Sequence, residues 1–467
     1  MVFDYGEVCT DDFIVEMLGE RNVDSPIELT STETRGNYLP NFVDDSESII
    51  LNGHTDKKYL EEALKTKDEK YKPIFIEAAG PREKIYFEPH KVKAAIVTCG
   101  GLCPGLNNVI RDITYTLRRY GVDEIIGISN GYKGFLREFN YPIVSLSRDV
   151  VRYIHREGGT ILGSSRGYGD RTKDIVNRLE DKGINMLFTI GGDGTQKGAL
   201  RIYEEAKRRG LKISVVGIPK TIDNDLSYVR KSFGFETAVE EAAKAVLSAT
   251  TEARSAPNGV GLVKLMGRES GFIAAHTAIA AKNVAFVLVP EVPFELEGKN
   301  GFLESLRKKV LDPKYGYAVV VVAEGAGQDL LKKSSEGKEE QLDASGNKKL
   351  DDIGTFLRDK IMKYFADKET DLNMKYIDPS YMIRSQPANA NDSIHCSLLA
   401  ANAVHAAMAG KTGILLGIVH NYYVHVPIEM AVKSRNTLPP NSTIWRAVLE
   451  LTGQPPLMKQ DAVKCNC

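Results

Sequence analysis

A chain of 467 residues can bury a large core, and because single cores stop growing at roughly 250–300 residues it is expected to form two or more lobes. Lys and Arg total 61 against 62 Asp and Glu, a net charge of −1, so no bulk attraction to nucleic acid or an anionic membrane is expected. Six cysteines (Cys9, Cys99, Cys103, Cys396, Cys465 and Cys467) form neither a disulfide framework nor paired CxxC zinc spacing, which favours a reducing compartment.

Residues 1–90 are polar, acidic in places (NFVDDSESII) and weakly periodic, and are expected to form an extension packed on the main body. The opening MVFDYGEVCTDDF lacks the basic segment and apolar run of a secretion signal. Nothing approaches the run of about 18 apolar residues that a membrane span needs, and a cytoplasmic protein with no membrane partner is expected.

From Lys91 onward short β-branched runs recur: AAIVTC (94–99), EIIGIS (124–129), NMLFTIG (185–191), ISVVGI (213–218), GVGLVKL (259–265), VAFVLV (284–289), YAVVVVA (317–323) and ILLGIV (414–419). Longer amphipathic stretches separate them, which predicts an α/β fold of mainly parallel strands covered by helices on both faces. After the first run, Leu106, Val109, Ile110, Ile113 and Leu117 fall at helical spacing and Gly121 follows as a stop. The stretch LLKKSSEGKEEQLDASGNKKL (330–350) is charged and turn-rich and predicts a solvated loop. The endings of Cys465 and Cys467 read as exposed thiols, and KCNC is not a peroxisomal signal.

In open α/β sheets ligands gather at the carboxyl ends of strands, so chemistry is sought just after the apolar runs. In CGGLCPGLNN (99–108), Gly100, Gly101 and Gly105 strip side chains from the backbone directly before a helix start, where amides and the helix dipole can face a phosphate. Read alone, it is also compatible with a turn that binds nothing, and neither GxxxxGK[ST] nor GxGxxG is present. In FTIGGDGTQKGAL (188–200), Gly191, Gly192, Gly194 and Thr195 surround Asp193. Asp193 can hold Mg²⁺, which needs few carboxylates when substrate phosphates and water complete its octahedron; an Asp-capped turn is the alternative. In GIPKTIDNDL (217–226), Asp223 and Asp225 project in related directions if the chain is extended, beside Thr221 and Asn224. One carboxylate could then take a proton from an attacking hydroxyl; an Asx-rich turn is the alternative. Arg166 in GSSRG, Lys264 and Arg268 in KLMGRESG, and Arg384 with Tyr381 in DPSYMIRSQ form a basic group. Lone surface arginines are usually just solvated, so a phosphate role for these depends on convergence.

Taken in order, GGLCPGLN, GGTILGSSRG, GGDGTQKGA, PKTIDND, KLMGRESGFIA, VVAEGAGQ and the YMIR segment resemble the 6-phosphofructokinase family over about residues 91–435. GGDGT alone is weaker, since NAD kinases and diacylglycerol kinases carry a similar loop, but those families lack the TIDND and MGR segments. The resemblance implies two Rossmann-like lobes: a phosphoryl-donor lobe at 91–235, a sugar-phosphate lobe at 236–383, and a return segment with a tail at 384–467. It implies transfer of the ATP γ-phosphoryl group to the 1-hydroxyl of fructose 6-phosphate in glycolysis. Asp223 would be the general base, with Thr221 and Asp225 beside it and Lys220 and Arg268 stabilising the transferring group. Asp193 would hold Mg²⁺, with Gly192, Gly194 and Thr195 completing the donor loop. Gly101, Arg166 and Arg268 would contact the transferring phosphates or the sugar phosphate, and Met266, Gly267 and Glu324 would shape the sugar pocket.

In the family, Gly after the loop aspartate accompanies ATP and Asp there accompanies pyrophosphate, because the added carboxylate crowds and repels the nucleotide's α-phosphate. Gly194 therefore implies ATP. Many ATP-dependent bacterial members have Gly where this chain has Lys220, whereas pyrophosphate-dependent members have Lys. The combination resembles a long ATP-dependent branch related to the pyrophosphate enzymes, and a pyrophosphate-dependent phosphotransferase is the alternative. Lys375, Tyr381 and Arg384 would bind the sugar 6-phosphate; short members have Arg and His at the first two places, and use an Arg from a neighbouring subunit where this chain has Gly259. A homotetramer or homodimer under allosteric control is implied. A non-catalytic regulatory subunit is disfavoured because Asp193, Asp223 and Asp225 are all present.

Overall fold

The structure is a computed structural model that describes residues 8–29, 42–51, 73–334, 350–456 and 458. Cys465, Cys467 and residues 335–349 of the expected charged loop lie outside the described residues. The described chain divides into two compact units. One comprises the chain up to Thr221 with Leu226–Gly234 and Gln386–Arg435; the other comprises Ile222–Asp225, Phe235–Ser385 and the chain from Asn436 on. Residues 436 onward, grouped from sequence with 384–435, thus fall in the second unit.

The strands of the two larger sheets are, in chain order, β1 (Lys93–Thr98), β2 (Glu124–Ile128), β3 (Ile143–Ser145), β4 (Met186–Gly191), β5 (Ser214–Pro219), β6 (Gly259–Leu265), β7 (Phe286–Leu288), β8 (Tyr317–Ala323), β9 (Asn373–Ile377), β10 (Ile414–Val419) and β11 (Tyr422–Pro427). The first unit holds the seven-stranded sheet, in the order β11-β10-β5-β4-β1-β2-β3. Its inner pairs are parallel, and only the outer pairs β10–β11 and β2–β3 are antiparallel. The second unit holds the four-stranded sheet β7-β8-β6-β9, parallel throughout.

All eight apolar runs noted in the sequence form strands here. Both β4 and β5 are buried along their whole length, which is why they read as continuous apolar runs. In the second unit the strand period is visible in the packing. Val319 and Val321 share one core with Ala238, Val246 and Ile273 of helices Phe235–Arg254 and Phe272–Ala281. Val320 and Val322 share another with Leu306 and Leu357 of helices Phe302–Leu311 and Ile353–Asp367, so helices cover both faces. The helix Leu106–Tyr120 buries Leu106, Val109, Ile110, Ile113 and Leu117, and Gly121 ends it at φ 89°, a left-handed value that suits glycine.

The expected solvated loop at 330–350 is corrected at its start: Gln328–Ser334 is helical. Leu331 is buried in the second unit's core and Leu330 packs against it, an apolar pair masked in sequence by the lysines and serines that follow.

The described parts of residues 1–90 pack into the first unit. Glu16–Met17 pairs with Lys411–Thr412, Ser48–Ile50 pairs with Phe75–Glu77, and Phe13, Leu51, Ile74 and Ile76 join the core. A buried polar knot fixes this layer: the Glu77 carboxylate accepts from Arg82 and Lys411, each at 2.6 Å, and from His425 at 3.2 Å. Burial pushes the His425 imidazole, 0% exposed, down to about 4 despite Glu77 beside it. Burial raises the Glu77 carboxyl, but its bonds to His425 and Lys411 outweigh this and hold it well below the usual carboxylate range.

Below pH 6.5 the unfolded chain protonates this histidine while the folded chain does not until about 4, so stability falls as pH drops through that window. Glu77 acts in the same sense as pH falls below 4.5. The urea midpoint is therefore lower at about pH 5 than at about pH 7.5, and His425→Gln reduces that difference, the rest coming from buried His405, which burial lowers to about 3. A wild-type midpoint unchanged between the two would contradict the assignment.

Candidate active site

In the first unit, β1, β4 and β5 lie side by side, and each ends in one of the sequence-marked loops. Lys220, 7% exposed, ties the three together: its Nζ donates to Gly101 O at 2.7 Å and its amide to Gly191 O at 3.0 Å. Gly100 adopts φ +88°, and a Cβ there would lie 3.3 Å from the Lys220 Nζ. The Gly100 amide donates to Ser165 O at 2.9 Å and Ser164 Oγ to Gly100 O at 2.7 Å, which sets the GSSRG turn, and exposed Arg166 within it, beside the CGG loop.

Gln196 Nε2 donates to Gly191 O at 3.0 Å and Ile218 O at 3.3 Å, stapling the ends of β4 and β5. Thr195 is buried, and its carbonyl accepts from Tyr132 Oη at 2.7 Å. With Gly192 as N-cap, Asp193 opens the helix Asp193–Arg208, where amides and the dipole favour negative charge. Its carboxylate accepts from Lys197 Nζ at 2.9 Å and Arg435 Nη2 at 3.3 Å. Beside Gly194 a Cβ would meet nothing within 4 Å. Among the described residues no group of three or more His, Cys, Asp or Glu could hold a metal ion. The single carboxylate of Asp193 suits Mg²⁺ shared with substrate phosphates and water.

Thr221, whose amide donates to Ser232 Oγ at 2.8 Å, is the last residue of the first unit before the chain enters the second at Ile222. Ile222 packs on the second unit's core, and Asn224 adopts φ 56°, a left-handed conformation that asparagine tolerates. The Asp223 carbonyl accepts from Ser270 Oγ at 3.0 Å and the Asp225 carbonyl from the Asn436 amide at 2.8 Å, so both acids sit on a fixed main chain.

Ser270 belongs to the MGRESG turn after β6. Gly267 there has φ +126°, and a Cβ would come within 2.3 Å of Ser270 O. The end of β8 closes on this turn: Glu324 N donates to Leu265 O at 2.8 Å and Gly325 N to Gly267 O at 2.9 Å. A Cβ on Gly325 would lie 1.8 Å from Arg268 O. Burial pushes the Glu324 carboxyl up, against the lowering influence of Arg268, Lys264 and Arg384. Arg268 and Arg384 therefore both act on Glu324, and Met266, two residues before Arg268, is buried.

Lys375 stands on the edge strand β9 with Glu252 3.8 Å away, and Tyr381 is 81% exposed, with the Arg384 guanidinium 4.9 Å above its ring. A side chain at Gly259 is excluded, since its Cβ would lie 1.8 Å from Ala253 O. Lys264 is engaged by Asp352 and Asp378. Sequence reasoning passed over Lys197, Arg435 and Ser270. Lys197 was findable by its i,i+4 spacing from Asp193 and Ser270 lay inside a quoted motif, but no local signal marks Arg435, which arrives from a distant segment.

Residues 93–407 match the family described as "Phosphofructokinase". The ATP-dependent 6-phosphofructokinase of Borreliella burgdorferi is 51% identical over 453 residues, covering 96% of this chain and 98% of that protein. ATP-dependent 6-phosphofructokinase 5, chloroplastic, of Arabidopsis thaliana is 51% identical over 381 residues, covering 82% of this chain and 69% of that protein. Among solved structures, the pyrophosphate-dependent phosphofructokinase of Marinobacter aquaeolei aligns with a TM-score of 0.63 at 22% identity, over 79% of this chain and 96% of that one, a likeness of fold.

Proposed function

The chain belongs to the phosphofructokinase family, and from that premise we propose that it transfers the γ-phosphoryl group of ATP to the 1-hydroxyl of fructose 6-phosphate. The products are fructose 1,6-bisphosphate and ADP, and the reaction is a step of glycolysis. The observation that supports the assignment of roles is the tie from Ser270 to the Asp223 carbonyl, which holds the main chain of Asp223 against the turn that carries Arg268.

Phosphoryl transfer asks a protein for positioning and charge neutralisation more than for covalent chemistry. The amides of the CGG loop, Arg166 and the helix start at Gly192, Gly194 and Thr195 hold the donor's phosphates. Lys220, buried and already aimed at the Gly101 carbonyl, neutralises charge on the transferring group at little reorganisation cost. Asp193 is the carboxylate for Mg²⁺, an ion that would neutralise the donor's polyphosphate. Lys197 and Arg435 balance Asp193 here.

Met266, Gly267 and Glu324 shape the sugar pocket, Arg268 and Arg384 neutralise phosphate, and Lys375 and Tyr381 complete the grip on the 6-phosphate. Asp223 takes the proton of the 1-hydroxyl as it attacks, with Thr221 and Asp225 fixing the loop on either side. Lys220 favours the pyrophosphate reading, whereas Gly194, with open space beside it, favours a nucleotide. No described helix is long and apolar enough to cross a membrane, and a cytoplasmic place of action is part of the proposal. A homotetramer or homodimer under allosteric control is part of the same proposal.

A substrate panel with Mg²⁺ and ATP tests the reading. The purified chain is expected to phosphorylate fructose 6-phosphate and to leave NAD and diacylglycerol untouched. Phosphorylation of either of those without turnover of fructose 6-phosphate would reject it.

A further inference from the structure

Lys264 closes an unusual junction in the second unit. It stands at the end of β6, two residues before Met266, with its side chain 14% exposed. Its Nζ lies 2.8 Å from Asp378 Oδ2 and 3.1 Å from Asp352 Oδ1. Asp352 also caps a helix, and Asp378 closes a turn at the start of another. Asp378 Oδ1 accepts from the Ser380 amide at 3.1 Å and Ser380 Oγ at 2.6 Å, where the short helix Ser380–Arg384 begins. Asp352 accepts from the amides of Gly354 at 3.0 Å and Thr355 at 3.3 Å and from Thr355 Oγ1 at 2.7 Å, capping Ile353–Asp367. Burial works against the ammonium, but its bonds to the two aspartates outweigh it and hold Lys264 above the ordinary lysine range.

Besides Asp378, the helix Ser380–Arg384 is anchored through Ile383, which lies in the core shared with the helix Phe235–Arg254. Only Ile383 is buried, whereas Tyr381 and Met382 are 81% and 69% exposed. Five residues form no stable helix alone, so the Asp378 turn and the buried Ile383 together decide where Tyr381 and Arg384 point. The ion pair itself is partly exposed, with Asp352 48% and Asp378 33% accessible. Pairs of that kind add little to global stability, so the junction's effect is on local geometry.

We propose that Lys264 is a positioning residue that sets affinity for the sugar 6-phosphate, by locking the Ser380–Arg384 helix to the end of β6 through Asp378. This rests on the reading that Tyr381 and Arg384 take that phosphate. The lysine does not touch the donor, and its replacement leaves the donor side unaltered.

Steady-state kinetics and calorimetric binding of fructose 6-phosphate to the full chain test it. Lys264→Met raises KM and Kd for fructose 6-phosphate by about tenfold or more, with kcat and the KM for ATP within about threefold. Asp378→Asn gives the same pattern, the double variant is no worse than either single one, and Lys264→Arg restores much of the loss. The thermal midpoint stays close to wild type.

Unchanged KM in both single variants, or a fall in thermal midpoint without a KM effect, overturns the proposal. Should Lys264→Met fail to fold, Asp378→Asn, which keeps the Asp352 bond, gives the same reading. A wild-type chain that does not phosphorylate fructose 6-phosphate would instead defeat the functional assignment beneath it.

Discussion

Asp223→Ser lowers kcat with fructose 6-phosphate by about 10²–10⁴-fold, the range that general-base catalysis contributes, while the Kd for the sugar phosphate stays within about threefold. The separation is expected because Asp223 has two distinct attachments. Its main chain is held by the Ser270 hydroxyl and by the left-handed turn at Asn224, neither of which depends on the carboxylate. The grip on the sugar is assigned instead to Arg268, Glu324, Lys375, Tyr381 and Arg384. A serine therefore keeps these main-chain ties and removes the proton acceptor. Steady-state turnover together with calorimetry of fructose 6-phosphate reads both quantities, and near-normal kcat in the variant would refute the role given to Asp223.

Gly194→Asp is expected to lower kcat/KM for ATP by about a hundredfold or more while costing far less with pyrophosphate. Nothing lies within 4 Å of a Cβ at this position, and it is the second residue of the helix Asp193–Arg208. A carboxylate in the first turn of a helix favours the helix, so the fold tolerates the change and the effect falls on the ligand. An added negative charge beside Asp193 repels the nucleotide's α-phosphate, which pyrophosphate lacks. Initial rates over a matrix of donor and magnesium concentrations measure it. Equal losses with both donors would remove the steric and electrostatic basis for reading donor choice from this glycine.

The inner strands were legible because they are buried on both faces and therefore spell uninterrupted apolar runs, as β4 and β5 do. In the two larger sheets, the three strands with no such run are all at sheet edges: β3, β9 and β11. These three carry polar and half-exposed residues, as in NMKYI of β9, and lose the signal, whereas the edge strand β7 is buried along its length and keeps it. The hairpin into β11 turns through His420 and Asn421 at φ 49° and 69°, a two-residue turn without the glycine that usually marks one.

The loops of the candidate site were legible for another reason. Gly267 and Gly325 are required by contacts of 2.3 Å and 1.8 Å that any Cβ would make, so the chemistry of the turn is written in residue type. Contacts between distant segments leave no such local mark. The approach of Arg435 to Asp193, and the engagement of Lys264 by two aspartates, needed the fold.

The central claim is that this chain is a fructose 6-phosphate kinase whose donor is ATP. It is tested most directly by incubating the purified chain with fructose 6-phosphate and Mg²⁺, with ATP in one series and pyrophosphate in the other, and quantifying fructose 1,6-bisphosphate. The expected result is sustained turnover with ATP and product at background with pyrophosphate, which makes Gly194 dominant and Lys220 auxiliary. Turnover with pyrophosphate and none with ATP would contradict the account and make Lys220 the residue that decides the donor.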